Sequence, residues 1–361
     1  MRQNMAEGAE RPRSVRIGVF DWIDQNAGLD LSDLYEQRLA MLEEADRAGF
    51  FCYHLAEHHG TPLGMAPSPH LFLTAAAQRT RRIRLGPLVS LLPLYHPIRL
   101  IEEVCMLDQM SRGRLELGVG RGVSPYELAL FNVAHDESRA IFEEALTILT
   151  SGLANGQVSF EGQYFSARNV SVPLRPFQRP YPPLWYPTSS PDSVPWAARH
   201  GFHTIFGFVR NTLEETREQL AVYERLEAEH RADPDRLNGH VRAPLYGVMR
   251  HVYVAATDAQ ALHEARTAYL DFFHNFDYLW AQHGVARHGE ADFESFVEEQ
   301  RILVGSPASV RGQLARLLAY TGGNYFAGAF AFGSLSGEQI MRSLHLFADE
   351  IMPAFTRPFL Q

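Results

Sequence analysis

The sequence predicts an α/β fold, a (β/α)8 TIM barrel with insertions, notably after the seventh strand. Three observations predict it. Strand-like and helix-like segments alternate along nearly all of the 361 residues, the pattern of a parallel sheet covered by helices. Eight such units can be counted, which favours a closed barrel over an open sheet. The segment Arg114–Val119 alternates too weakly for a half-solvated strand and runs into Gly120-Arg121-Gly122, as buried parallel strands do where they end in ligand-binding loops.

The elements follow in order. Residues 1–13 are polar and charged without an apolar centre, so they are expected to be a disordered leader, and 14–361 a single domain. Val15–Phe20 is the first strand. Leu31–Gly49 is a helix with Leu34, Leu39, Leu42 and Ala45 on one side and Gly49 as its stop. Phe51–Leu55 is the second strand and Pro69–Thr80 the second helix. Ile83–Leu92 is a third strand made irregular by Pro87. Pro97 starts the third helix, at the position where proline is best tolerated. That helix carries two apolar stripes, Ile98, Ile101 and Cys105 beside Leu100, Val104 and Leu107. One stripe suffices for packing on a barrel; the second is explained by a subunit interface, hence a homodimer, or by a covering insertion.

After the fourth strand the sequence predicts a helix over Glu137–Ser151, a short hairpin over Asn155–Phe165 and a proline-rich connection over Val172–Pro183. Leu184–Pro187, Thr204–Phe208 and Leu245–Ala255 are strands five to seven, the last two followed by helices Asn211–His230 and Asp258–Phe273. Asn275–Glu299 has poor periodicity and reads as an inserted excursion, a candidate lid. Ser306–Tyr320, Tyr325–Phe332 and Glu338–Ile351 supply a helix, the eighth strand and a last helix.

Composition bounds the function. A formal net charge of −9 with no basic run argues against nucleic acid. No apolar run approaches a membrane span and there is no signal peptide, so a cytoplasmic protein is expected. Cys52 and Cys105 lie in apolar surroundings without CxxC spacing, as reduced core residues do.

Three segments read as parts of one anion site. Arg121 is presented between two glycines. Arg139 stands in the first turn of its helix, where a cation opposes the helix dipole by roughly 0.3–1 kcal/mol and needs a compensating anion; Asp136 and Glu137 could be that anion. In Ser189-Ser190-Pro191-Asp192-Ser193, Ser190 fits an N-cap, Pro191 the first helical position and Ser193 the third, so free N–H groups and hydroxyls meet there. All three follow strands four and five, on the face where barrels bind ligands, and together favour a phosphate.

The stretch His54-Leu55-Ala56-Glu57-His58-His59 contains H-x-x-E-H, a zinc-peptidase pattern. That chemistry needs two histidines one helical turn apart, whereas His54 ends a strand and Gly60, Pro62 and Gly64 follow. No metal site is therefore expected. A strand-end Glu-His-His suits proton transfer, because imidazole titrates near neutral pH; solvated loop histidines are the other reading, for His59 more than for His58.

AEHHG (Ala56–Gly60), the long run Leu85–Gly122, Ser138-Arg139, WAARHG (Trp196–Gly201) and VGSPASV (Val304–Val310) together resemble the bacterial luciferase-like family of flavin-dependent monooxygenases. The similarity runs from Val15 to Phe355 and is most specific at EHH and over His96–Arg114. It implies a barrel that binds reduced FMN at the C-terminal ends of its strands. It further implies His58 as the catalytic histidine beside the flavin C4a edge, and Arg121 and Arg139 on the FMN phosphate. Ser190 and Ser193 match its hydroxyl contacts, and Ser189 a backbone contact. Leu88–Val89 matches a non-prolyl cis peptide under the isoalloxazine. Gly120 stands where luciferase has a reactive cysteine, which puts light emission in doubt.

The activity so implied is a two-component FMN-dependent monooxygenase. A separate flavin reductase supplies FMNH2 by diffusion, O2 adds to form a C4a-peroxyflavin, and a small organic substrate is oxidised. A deazaflavin (F420)-dependent oxidoreductase on the same barrel, or a flavin binder without turnover, are the alternatives. Phe272, Phe273, Phe276, Tyr278 and Trp280 could line an apolar substrate pocket or form a helix core.

Overall fold

The computed structural model describes residues 14–188, 191–207, 211–285 and 292–356; the proposed leader and the serines 189 and 190 lie outside them. In chain order the elements are β1 (Arg16–Asp21), α1 (Leu31–Ala48), β2 (Cys52–Leu55), α2 (Pro69–Arg79), β3 (Arg84–Pro87), β4 (Ser90–Leu91), α3 (Pro97–Met110), β5 (Leu117–Gly120) and α4 (Pro125–Leu130). Then come α5 (Ser138–Asn155), β6 (Gln157–Glu161), β7 (Ser166–Ser171), β8 (Leu184–Trp185), α6 (Val194–Arg199), β9 (Thr204–Phe206) and α7 (Leu213–His230). β10 (Tyr246–Val254), α8 (Asp258–Gln282), α9 (Phe293–Glu298), β11 (Ile302–Gly305), α10 (Pro307–Thr321), β12 (Tyr325–Ala329) and α11 (Gly337–Leu346) complete the chain.

The fold is α/β on parallel strands. One sheet runs β11-β10-β12-β1-β2-β3, with β9 also on β10; a second runs β4-β5-β8. Every pair in both is parallel. Two isolated parallel bridges, Leu85 to Leu115 and Trp185 to His203, tie the second sheet to β3 and β9. All nine residues of β10 are buried, as expected of a strand covered on both faces. Among the described residues only β6 and β7 are antiparallel; they form a hairpin that runs past the expected end at Phe165 to Ser171, between α5 and the proline-rich connection.

The departures from the sequence reading have physical causes. The third strand is two pieces: Pro87 has no N–H to extend the ladder, and a cis peptide joins Leu88 to Val89 before β4 begins. α8 does not stop at Phe273 but runs to Gln282, because no glycine or proline interrupts 258–282; the expected excursion is thus partly helix. β11 and α4 are too short to give a periodic signal. Of the two stripes of α3, Leu100, Ile101, Val104, Cys105 and Leu107 are all under 2% exposed, and Ile98 is partly buried against the same core. α5 covers one of them so closely that a Cβ on Gly152 would lie 2.4 Å from Ile101 Cδ1. The second stripe is therefore satisfied without a partner subunit. No helix of the described residues is long and apolar enough to cross a membrane.

Candidate active site

The strand order sets the site. β2, β3 with β4, β5 and β8 are neighbours, so the segments after them meet along one rim. His54 still belongs to β2. Its ring is buried, Nε2 lies 2.8 Å from the Tyr325 hydroxyl, and burial drives its pKa down to about 3. It is a neutral interior group with no role in common with His58. Among the described residues no group of three or more His, Cys, Asp or Glu could hold a metal ion.

Beyond β2 the three residues Glu57, His58 and His59 are held by a carboxylate network. Glu57, 3% exposed, accepts the Tyr95 hydroxyl (2.8 Å) and the Leu91 amide (3.2 Å) at Oε2. Its Oε1 lies 2.9 Å from His59 Nε2, and the ring of His59 packs edge-on against Phe131. His59 is therefore anchored and not a solvated loop residue. His58 Nδ1 lies 3.1 Å from Glu127 Oε1. Burial disfavours the charged form of His58, but Glu127 and Glu57 outweigh it, and the pKa rises above the ordinary imidazole value. For Glu127 burial pushes up, and His58 with the His59 amide prevails to lower it. Both directions describe one ion pair.

β4 forms the floor. Ser90 points away from the rim to His70 Nε2 (3.0 Å), and Glu103 holds Nδ1 of the same ring (3.0 Å). This serine, histidine and glutamate are arranged as in a hydrolase triad, but Ser90 is fully buried and does not line the cavity. They brace β4, whose Leu91 lines the ligand space together with Val89 just ahead of the strand.

β5 delivers Gly120, Arg121 and Gly122. Gly122 is left-handed (φ 87°), which a side chain would resist, and it turns the chain so that Arg121 stands at the rim. Arg139 sits on α5 with its partner Glu143 at 3.1 Å; this acid one turn on, and not Asp136 or Glu137, balances it, while Glu137 receives the Tyr164 hydroxyl. Pro191 opens a 3-10 turn, Pro191–Ser193, and the α-helix begins only at Val194 with Ser193 at its N-cap position. The sequence placed Ser193 a full turn inside; Pro195, tolerated in the first turn, sets the later start. Burial raises the pKa of the Tyr186 phenol and Arg121 and Arg139 pull it back, so both cations act on one ring.

A single cavity of about 340 Å³ joins these parts. His58, Glu57 and Glu127 line it from the β2 side, Leu88, Val89 and Gly120 from beneath, and Arg121, Arg139 and Ser193 from the β5 and β8 side. Of the site residues read from the sequence, six line this cavity; Ser189 and Ser190 lie outside the described residues. The aromatic residues of α8 do not line it. Phe272 and Phe273 are core, and Trp280 packs on Tyr126 at 5.1 Å.

Residues 15–325 match the family of luciferase-like monooxygenases. The chain belongs to that family. As a luciferase-like monooxygenase it is 36% identical to the uncharacterized protein y4wF of Sinorhizobium fredii over 343 residues, which cover 94% of this chain and 97% of that protein. It is 26% identical over 339 residues to the oxygenase component of the flavin-dependent trigonelline monooxygenase of Acinetobacter baylyi, covering 90% of each. The crystal structure of the monooxygenase RslO1 from Streptomyces bottropensis superposes with a TM-score of 0.84 at 27% identity, over 94% of this chain and 99% of that one.

Glu127 and Tyr95 were not found from the sequence. For Glu127 a signal existed: Ser124-Pro125-Tyr126-Glu127 has the S-x-x-E spacing of a helix start, and Ser124 Oγ does accept from the Glu127 amide at 3.3 Å. Tyr95 carried no signal, since it stands in a loop and depends on where β4 places Glu57.

Proposed function

We propose that this luciferase-like monooxygenase is the oxygenase component of a two-component, FMN-dependent system acting on a small organic substrate. The observation that carries the reading is that one cavity holds two arginines and a serine on one side and a carboxylate-bound histidine on the other. The donor set fits a flavin mononucleotide. Two guanidiniums and a hydroxyl match a phosphate dianion in charge and in hydrogen-bond donors, and the apolar floor of Leu88 and Val89 suits a flat ring system. We read the strand pairings as a closed (β/α)8 barrel with its insertion between β10 and β12. A homodimer in the cytoplasm, supplied with reduced flavin by a separate reductase, completes the proposal.

Bound reduced flavin supplies the electrons with which O2 is activated, one oxygen atom entering the substrate and the other leaving as water. The chain does the rest. Arg121, Arg139 and Ser193, with Ser189 and Ser190, hold the phosphate. Leu88, Val89 and Leu91 keep the ring side of the cavity apolar and exclude water. His58 offers Nε2 to the cavity and gives or takes one proton there.

Anaerobic titration with FMNH2, then mixing with O2, tests the reading. Tight binding of FMNH2 and oxygen uptake that follows added substrate support it. Binding of a reduced deazaflavin in preference to FMNH2, or no retention of either, would overturn it.

A further inference from the structure

Glu127 touches the His58-His59 pair in two ways. Its Oε1 lies 3.1 Å from His58 Nδ1 and accepts the His59 backbone amide at 2.8 Å. One carboxylate oxygen thus fixes both the ring and the backbone of the same dipeptide. The carboxyl is 4% exposed and is carried on the first turn of α4, which Ser124 caps and Pro125 opens. In the usual S-x-x-E cap the acid turns back to its own N-cap amide. Here it reaches across to the loop after β2 instead, so the short helix serves as a mount.

We propose that Glu127 is a positioning residue: it holds His58 as the Nδ1–H tautomer and makes Nε2 the one nitrogen that exchanges a proton with a ligand in the cavity. The argument is one of donor inventory. An ionised carboxylate can only accept, so the nitrogen facing it carries hydrogen whether the ring is neutral or charged. The neutral ring therefore has its lone pair on Nε2. A proton gained there gives imidazolium; given up to a basic ligand atom, it leaves the neutral ring, which is recharged from water. The Nδ1–H bond to Glu127 stays intact throughout.

The surrounding charges agree. Glu127 from α4 and Glu57 from its own loop act on His58. Arg121 from the β5 loop, Arg139 and Glu143 from α5 and Asp192 from the turn after β8 line the same cavity. The role rests on the reading of His58 given above.

The test is nitrogen NMR of the His58 imidazole across pH in the full-length, ligand-free protein, in wild type, Glu127→Gln and Glu127→Asp, beside the pH profile of turnover. Glutamine can still accept the His59 amide, so the loop keeps its anchor. The wild-type neutral ring should be Nδ1–H. In Glu127→Gln the proton affinity of His58 should fall about tenfold or more and the turnover profile should move to lower pH with it, while the amide oxygen that still accepts the His59 amide keeps the neutral ring Nδ1–H. Glu127→Asp should restore part of both. A wild-type neutral ring that is Nε2–H, or an unchanged midpoint in Glu127→Gln, with His58→Ala still losing turnover, would overturn the role of Glu127 alone. A shifted His58 titration in Glu127→Gln, with turnover normal in that variant and in His58→Ala, would overturn the reading of His58 and this role with it.

Discussion

A Cβ built on Gly120 would lie 2.4 Å from Val89 Cγ2, so the last residue of β5, just before Arg121, and the residue just ahead of β4 touch without room for one methyl group. Gly120→Ala must displace Val89, and overpacking of this kind costs roughly 1–3 kcal/mol. Denaturant unfolding should show that loss. Adding Val89→Ala should recover most of it, a coupling that independent sites would not give.

Arg121 is expected to read the phosphate. A charge-assisted hydrogen bond is worth roughly 1.5–3 kcal/mol, so Arg121→Ala should weaken FMN binding by about tenfold or more. Riboflavin, which lacks the phosphate, should bind wild type and variant alike. An equal loss for riboflavin would mean that Arg121 does not contact the phosphate.

Tyr95→Phe removes the hydroxyl that Glu57 Oε2 accepts at 2.8 Å. A buried carboxylate left short of a donor costs about 1–3 kcal/mol. Unfolding by denaturant should show a loss in that range. A loss as large in the Glu57→Gln background would show that the two residues are not coupled.

The His58–Glu127 pair also predicts how stability varies with pH. His58, raised in the fold, contributes fully below its unfolded pKa and loses its contribution as pH rises through the folded value. Glu127, lowered in the fold, contributes above its unfolded pKa and loses it as pH falls through the folded value. With ordinary values of about 4.3 for glutamate and 6.5 for histidine, the stability gap between wild type and Glu127→Gln should be widest between those two pH values. It should narrow on either side. A gap independent of pH would contradict the ion pair.

The fold was legible where the signal is local and repeated. Apolar periodicity found α1, α3, α5 and α7 and the long strand β10, because those elements bury a face along their whole length. It missed β11, four residues long, and misjudged α8, whose second half carries aromatic residues on several sides. The site was legible where chemistry demands rare residues together: His58, Arg121, Arg139 and Ser193 meet in one cavity. What the sequence could not show is contact across distant segments. Glu127 is 69 residues from His58, and only the neighbouring of β2 and β5 through β3 and β4 brings them together. Arg139 is the opposite case: its balancing acid Glu143 is four residues on along the predicted helix, a local spacing that the sequence carried.

The central claim is that His58 handles a proton in a cavity whose flavin is anchored elsewhere, and one measurement tests it most directly. FMN affinity, substrate oxygenation and hydrogen peroxide release should be followed together in His58→Ala. Affinity should stay within a few-fold of wild type, because Arg121, Arg139 and the serines hold the phosphate. Oxygenation should fall by roughly 10²–10⁴, the range for a lost general acid or base, and peroxide release should rise as oxygen activation uncouples from the substrate. A variant that oxygenates its substrate at the wild-type rate with no added peroxide would contradict the account.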